Sequence, residues 1–150
     1  MNKYFIYFSA TGNGDFLASE LKQNGYTPIK VEMVKKIKKV GFWFIFHYGG
    51  RATFNKKEKI KPLNLELKED DVVVIGSPIW GDKLSTPINT VLKQLSLNKD
   101  TTRFVLYPAG EGTKKSLLQI ARLGFIQEPI VISYPLKKME AAKELLKKLS

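Results

Sequence analysis

Apolar runs separated by segments with helical spacing predict an α/β chain. Residues 4–8 and 72–75 are apolar or aromatic without polar alternation, which is typical of strands buried on both faces of a parallel sheet. The predicted strands are residues 4–8, 27–32, 72–75, 103–107 and 129–134. Helix-patterned segments begin near Asp15, Thr86, Thr113 and Met139. This alternation predicts a single domain over residues 1–150, built as a three-layer, doubly wound, five-stranded parallel sheet with helices on both faces.

Cap residues support the helix predictions. Gly25 and Gly124 stand where a helix C-terminal cap is expected. Thr86 can cap a helix in which Pro87 takes the first helical position, and Thr113 can cap the next one. Between the second and third strands, Leu63, Leu65 and Leu67 alternate with polar residues, and this period of two predicts an extended segment lying against the core.

Residues 9–14, Ser-Ala-Thr-Gly-Asn-Gly, lie between the first strand and the first helix. The N–H groups of such a turn and of the helix start point towards one place, where the helix dipole favours an anion. Ser9 and Thr11 can add hydroxyl donors, so the stretch predicts a phosphate site. Ordinary turn and N-cap chemistry without a ligand is the alternative interpretation.

Two further glycine-bearing stretches follow predicted strands, at residues 76–82 and 107–112. Ligands of open parallel sheets bind beyond the carboxyl ends of the strands, where the strand order reverses. Because all three loops leave carboxyl ends, they are expected to converge on one site.

Composition excludes several kinds of site. The chain has no cysteine and one histidine, His47, which excludes disulfides, thiolate catalysis, and Cys-ligated or His-rich metal sites. We therefore expect no metal. The chain opens without a signal-peptide pattern, and no apolar run reaches the length of about 20 residues needed to span a bilayer, so a cytoplasmic protein is expected.

The basic residues are concentrated in one segment. Net charge is +11, and residues 30–61 hold ten lysines and arginines against two glutamates. Residues 33–62 also contain a helical apolar stripe and an aromatic run at 42–46. These features favour a helix that covers one face of the sheet, with His47 as a packing residue. The alternative is a docking surface for a partner or, through residues 35–48, for a membrane.

Two of the motifs together resemble those of the flavodoxins and their relatives. Ser9-Ala10-Thr11-Gly12-Asn13 is similar to the phosphate-loop signature of that family, and Gly76-Ser77-Pro78-Ile79-Trp80-Gly81 is similar to its ring-contacting loop. The resemblance spans nearly the whole chain and fits the short-chain form. It implies the strand order 2-1-3-4-5, with FMN as cofactor at the switch between the first and third strands.

The resemblance also implies the roles of individual residues. Trp80 would lie against the isoalloxazine, with a core tryptophan as the alternative, and the loop 109–112 would approach the other side of the ring. Gly14 stands where the family usually has threonine, so a threonine there is expected to tighten FMN binding. No catalytic residue is predicted. The cofactor-binding residues implied are Ser9, Ala10, Thr11, Gly12, Asn13, Gly14, Ser77, Pro78, Ile79, Trp80, Gly81, Ala109, Gly110, Glu111 and Gly112.

The function implied is that of an FMN-binding electron carrier or a small flavin oxidoreductase. Because the chain is basic, whereas familiar electron-transfer flavodoxins are acidic, an acidic redox protein is the expected partner. The basic run has no recognisable nucleic-acid motif, so no specific nucleic acid is expected. The alternative is a module of the same fold that does not bind FMN and uses its basic region on nucleic acid or a membrane surface.

Overall fold

The computed structural model of the chain describes residues 1–35 and 58–150. The strands are β1 (Lys3–Tyr7), β2 (Thr27–Lys30), β3 (Val72–Trp80), β4 (Lys83–Leu84), β5 (Arg103–Tyr107) and β6 (Ile130–Val131). The helices are α1 (Asn13–Gln23), α2 (Thr86–Gln94), α3 (Lys114–Arg122) and α4 (Met139–Leu146), and a 3-10 turn (Lys147–Leu149) follows α4.

Five strands pair in parallel in the order β2-β1-β3-β5-β6, and β4 pairs antiparallel with the end of β3. Counted without β4, the parallel strands have the predicted order 2-1-3-4-5. Strand β3 is central, with Val74 opposite both Phe5 of β1 and Arg103 of β5. The doubly wound prediction is therefore confirmed, and β4 is an addition that the sequence pattern did not predict.

Successive residues of each strand supply opposite faces of the sheet. Phe5 belongs to an apolar cluster with Leu17 of α1 and Leu146 of α4. Its neighbour Ile6 belongs to a second cluster with Ile88 of α2. Because side chains alternate along a strand, this arrangement buries the sheet between two helical layers, as predicted.

The segment before β3 lies extended against the second cluster. Leu63, Leu65 and Leu67 pack on it, while the residues between them are exposed, as the period-two pattern predicted. Met33 and Ile60 form an antiparallel bridge, so the two described flanks of residues 36–57 meet. Most of the predicted basic helix, including His47 and residues 36–48 of the predicted docking surface, lies outside the described residues. Within the described ranges, no helix is long and apolar enough to cross a membrane.

Several element boundaries differ from the predictions. The predicted loop at 76–82 is wrong, since residues 76–80 continue strand β3. The predicted last strand is too long, because only Ile130–Val131 pair with β5. The cap of α2 is Ser85 rather than Thr86, which places Thr86 and Pro87 inside the first turn.

Pro78 lies inside β3, and this explains why the sequence pattern predicted too short a strand. Proline usually interrupts an inner strand because it lacks the N–H donor. The carbonyl of Gly76 accepts from Phe8 N–H at 3.2 Å, so the backbone of Pro78, two residues further on, faces the same side. Strand β1 has already ended at Tyr7 on that side, so no ladder bond is lost there.

Candidate functional site

The turn between β1 and α1 is held by Ser9. Its Oγ accepts hydrogen bonds from the N–H of Gly14 at 3.1 Å and of Asp15 at 3.4 Å. A hydroxyl has two acceptor positions and one donor, so the O–H of Ser9 remains able to donate. Gly12 takes the N-cap position of α1 with φ of 91°, a conformation that other residues rarely adopt.

Donor groups collect at the start of this helix. Within the described residues, no hydrogen bond engages the N–H of Thr11, Gly12 or Asn13. The side chain of Thr11 is exposed and accepts from Asn13 Nδ2 at 3.3 Å, so its O–H can still donate. Neutral donors at a helix N-terminus suit a dianionic phosphate. The donor set therefore fits the phosphate of FMN without a basic side chain.

Gly14 is enclosed on three sides. A Cβ atom there would lie 2.7 Å from the hydroxyl of Tyr107, 2.9 Å from Ser9 Cβ and 3.0 Å from the carbonyl oxygen of Phe8. The Tyr107 hydroxyl is fixed in this place because it donates to that carbonyl. A threonine at position 14 would therefore have to displace Tyr107 or the Phe8 carbonyl, so this enclosure opposes the expectation that threonine tightens FMN binding, which stays a prediction.

A second network lies on the α1 side of the loop. Tyr7 donates to Asp15 Oδ1 at 3.0 Å, and Lys30 Nζ lies 2.8 Å from the same oxygen. Burial and the bond to Asp15 raise the pKa of Tyr7 well above its ordinary value, and burial raises that of Tyr107. Lys30 offsets the carboxylate charge that would otherwise repel an anion at the helix start.

The second predicted stretch lies mostly in the core. Ser77 is fully buried, and its hydroxyl bonds to the carbonyl of Pro78 at 2.7 Å and accepts from Ser85 N–H at 3.0 Å. Ile79 is buried as well. Trp80 is 6% exposed and meets Phe8 edge to face at 5.4 Å between ring centres. The structure thus places Trp80 as a core tryptophan, and its contact with a flavin stays a prediction that requires the ring to be uncovered.

Gly81 and Asp82 form the tight turn between β3 and β4. Their φ angles are 57° and 64°, so both central residues of this two-residue turn are left-handed, as in a type I′ hairpin. The Oδ1 atom of Asp82 is buried without a hydrogen-bond partner in the described part of the chain. A Cβ atom on Gly112 would lie 3.4 Å from it, so the hairpin tip reaches the loop that follows β5.

The conformation of loop 109–112 depends on the side chain of Glu111 and on Tyr134. The N–H of Ala109 donates to Glu111 Oε1 at 2.8 Å, and Gly110 has φ of 94°. A Cβ atom on Gly110 would lie 2.6 Å from the hydroxyl of Tyr134. The absence of a side chain at 110 therefore makes room for a residue from the segment after β6.

The segment after β6 also reaches the first loop. The N–H of Leu136 donates to Asn13 Oδ1 at 3.1 Å, and its side chain lies against Gly12. Asn13 therefore anchors a neighbouring loop through its side chain, while its N–H remains available to a ligand.

Comparison with known proteins identifies the fold. No protein-family model matches the sequence, and neither does any curated protein. A flavoprotein in complex with FMN from Lactobacillus acidophilus matches in structure with a TM-score of 0.64 and 19% identity, over 93% of this chain and 98% of that chain. Proteins assigned as flavoproteins from Bacteroides eggerthii and Bacteroides uniformis have TM-scores of 0.65 and 0.67 at 20% and 17% identity. They match over 98% and 97% of this chain and 96% and 97% of their own.

The chain has the flavodoxin-like fold. In this fold the predicted residues of the first and third loops come together at the carboxyl edge of the sheet, where segment 134–136 bridges them. Of the second stretch, only Gly81 lies at an exposed turn. Ala10, within the first loop, packs against the core.

Sequence reasoning missed Tyr134 and Leu136 as parts of this edge, and it gave no role to Asp82 or Tyr107, which lie in the predicted stretches 76–82 and 107–112. It searched the glycine-bearing loops alone. The end of the last strand was a usable signal, because the fifth parallel strand must also deliver the residues that follow it to the carboxyl edge of the sheet.

Proposed function

We propose that the chain binds FMN at the carboxyl edge of its sheet and works as an electron carrier. The observation that carries the proposal is the cluster of donors at residues 9–14, where the N–H groups of Thr11, Gly12 and Asn13 have no partner among the described residues. The match in fold to a flavoprotein crystallised with FMN supports the same cofactor. When bound, FMN supplies one- and two-electron redox chemistry.

Different loops would bind the phosphate and the ring of FMN. The three N–H groups and the hydroxyls of Ser9 and Thr11 would hold the phosphate in the field of the α1 dipole. The loop 109–112, whose glycines leave its backbone open, would approach the ring, where backbone groups tune the redox potential. Asp82 adds a negative charge beside that loop, which disfavours electron addition nearby.

Titration of the apo chain with FMN and with riboflavin tests the cofactor. Riboflavin has the same ring without the phosphate, so the ratio of the two affinities reports on the phosphate site. We expect Thr11→Glu to weaken FMN by at least tenfold, through repulsion between carboxylate and phosphate, and to leave riboflavin nearly unchanged.

Thr27→Glu is the matched control. Thr27 is exposed at the start of β2, on the opposite edge of the sheet, so the same substitution there should leave both affinities unchanged. A wild-type chain that gives neither flavin fluorescence quenching nor thermal stabilisation at saturating FMN would contradict the proposal. An unchanged affinity ratio in Thr11→Glu would contradict the phosphate assignment alone.

We further propose an acidic redox partner for the carrier. Lys114 and Lys115 are exposed in the first turn of α3, and the exposed Lys137 and Lys138 precede α4, so four lysines lie around the same edge. Such charge speeds the approach of anionic partners. The alternative of an FMN-free module acting on nucleic acid or a membrane gains no support from the described residues.

Two small oxidants test this electrostatic proposal. Reduced, FMN-loaded chain should be reoxidised faster by anionic ferricyanide at low than at high salt, and a cationic ruthenium ammine should show the opposite trend. Replacement of Lys114 and Lys115 by glutamate should diminish both trends, whereas the same change at Lys22 and Lys68, away from this edge, should not. Rapid reduction by NADPH alone would instead indicate a stand-alone oxidoreductase.

A further inference from the structure

Aromatic residues at the carboxyl edge differ in whether a ligand can reach them. Among the described residues, five stand at strand ends or in the loops of this edge: Tyr7, Phe8, Trp80, Tyr107 and Tyr134. The first four are buried, with exposed fractions of 6% or less. Tyr134 alone of these five is half-buried, so part of its ring surface can be reached.

Tyr134 holds an unusual backbone conformation. Its φ is 50°, which a bulky side chain rarely adopts because its Cβ atom crowds the following carbonyl. The surroundings fix it there. Its N–H donates to Pro108 O at 3.3 Å, and its carbonyl accepts from the N–H of Lys137 at 2.9 Å and of Lys138 at 3.0 Å.

Two neighbours contact the side chain of Tyr134. The hydroxyl lies against Gly110, where only a glycine leaves room, and Lys137 Nζ stands 5.1 Å from the ring centre. Two residues later, Leu136 is tied to Asn13 and packs on Gly12. Segment 134–136 therefore contacts both loops, with Tyr134 against the loop that would approach the ring and Leu136 against the loop that would hold the phosphate.

We propose that Tyr134 is a ligand-contact residue whose ring lies against the isoalloxazine of bound FMN, and that Asn13 is the positioning residue for its segment. The inference rests on the proposed FMN binding. Loop 109–112 contains no aromatic residue and Trp80 is buried, so among the described residues of this edge Tyr134 supplies the aromatic surface within reach. An aromatic pair adds stabilisation beyond area burial. The strained backbone is the local cost of fixing this ring before the ligand arrives.

Tyr134→Leu and Tyr134→Phe separate the ring from the hydroxyl. We expect Tyr134→Leu to weaken both FMN and riboflavin about fivefold, because the lost contact is with the ring system that both share. Bound FMN should also fluoresce more strongly in this variant, since a neighbouring aromatic ring quenches the flavin. Tyr134→Phe should keep most of the affinity and of the quenching.

The role of Asn13 is tested by coupling. Asn13→Ala removes the acceptor for Leu136 N–H, so the additional effect of Tyr134→Leu on riboflavin affinity should become smaller in that background. Fully additive effects would overturn the positioning role.

Stability of the apo chain provides the readout that separates binding from folding. Tyr134→Asn places a residue that tolerates positive φ at this position. We expect its apo melting temperature to stay level or rise while FMN affinity falls. Affinity loss that tracks a fall in apo stability, or a Tyr134→Leu variant with wild-type affinity and fluorescence, would overturn the inference while leaving FMN binding intact. A wild-type chain that binds no flavin would overturn the proposed function itself.

Discussion

Gly14 is enclosed tightly enough that even one methyl group should be harmful. Gly14→Ala is expected to lower the free energy of unfolding of the apo chain by about 1–3 kcal/mol, because the new Cβ would press on the Tyr107 hydroxyl and the Phe8 carbonyl. Without the contacts, alanine in a helix would stabilise relative to glycine. Urea denaturation of the apo chain measures the difference.

Gly112→Ala serves as the matched control. The three atoms nearest to its Cβ would all belong to Asp82, at ordinary van der Waals distances of 3.4–3.8 Å. The free energy of unfolding should then change by less than about 1 kcal/mol. Equal losses at positions 14 and 112 would argue against steric enclosure as the cause.

The sequence could predict donors at residue scale but not the space around them. Ser9, Thr11 and Gly12 were recognisable from turn chemistry, and in the structure the Ser9 hydroxyl accepts hydrogen bonds from two N–H groups in the first turn of α1. The enclosure of Gly14 depends on Tyr107, which is more than 90 positions away in sequence. Pairing of that kind is set by packing between elements, which local pattern does not encode.

At the scale of elements, the hairpin tip depends on Gly81. Gly81→Ala should lower the free energy of unfolding by about 1 kcal/mol, because alanine is disfavoured at φ of 57°. Asp82→Asn in the same turn should cost nothing, since asparagine tolerates the left-handed region and the change removes a carboxylate with one unpartnered buried oxygen. Thermal melts of the two variants provide the comparison, and a loss of similar size in both would contradict the type I′ assignment.

Helix α3 begins with charges that oppose its dipole. Lys114 and Lys115 stand in a first turn that contains no acidic residue, and both are exposed. Replacing both with glutamate should raise the free energy of unfolding by about 0.5–2 kcal/mol, measured by urea denaturation at low salt. The gain should shrink at high salt. An unchanged stability would mean that the dipole is already screened at this end.

A continuous apolar run was enough to predict where a strand lies, but the pattern did not predict that the strand continues past a glycine and a proline. The apolar run 72–75 correctly located β3, but the strand continues through Gly76 and Pro78 to Trp80, inside the stretch that was predicted to be a loop. The extension is possible because β1 ends early on one side and β5 pairs on the other. A prediction of strand length needs this knowledge of neighbours.

At the scale of the whole molecule, three buried tyrosines predict sensitivity to alkali. The pKa values of Tyr7, Tyr26 and Tyr107 are raised above the ordinary value, mainly by burial. The unfolded chain releases these protons near pH 10, whereas the folded chain keeps them. The contribution of these tyrosines to the free energy of unfolding is therefore fully present below about pH 10, and it is lost as the pH rises through their raised pKa values.

Urea denaturation at a series of pH values measures this dependence. Between about pH 8 and 10 the three tyrosines should cause no decrease in the free energy of unfolding. Above about pH 10 the free energy of unfolding should decrease as the pH rises. Tyr7→Phe should make the alkaline fall less steep because one of the three groups is gone. A wild-type fall that is equally steep in Tyr7→Phe would exclude Tyr7 as a contributor.

The contact between Gly14 and Tyr107 also constrains how homologues of this chain can vary. A side chain at position 14 and a tyrosine at position 107 compete for the same few ångströms beside the Phe8 carbonyl. Homologues that carry threonine at position 14 should therefore carry a smaller residue at 107, and those with tyrosine at 107 should retain glycine at 14. The two positions should covary as a pair, so that the loop 9–14 and the end of a strand far from it in sequence are expected to change together.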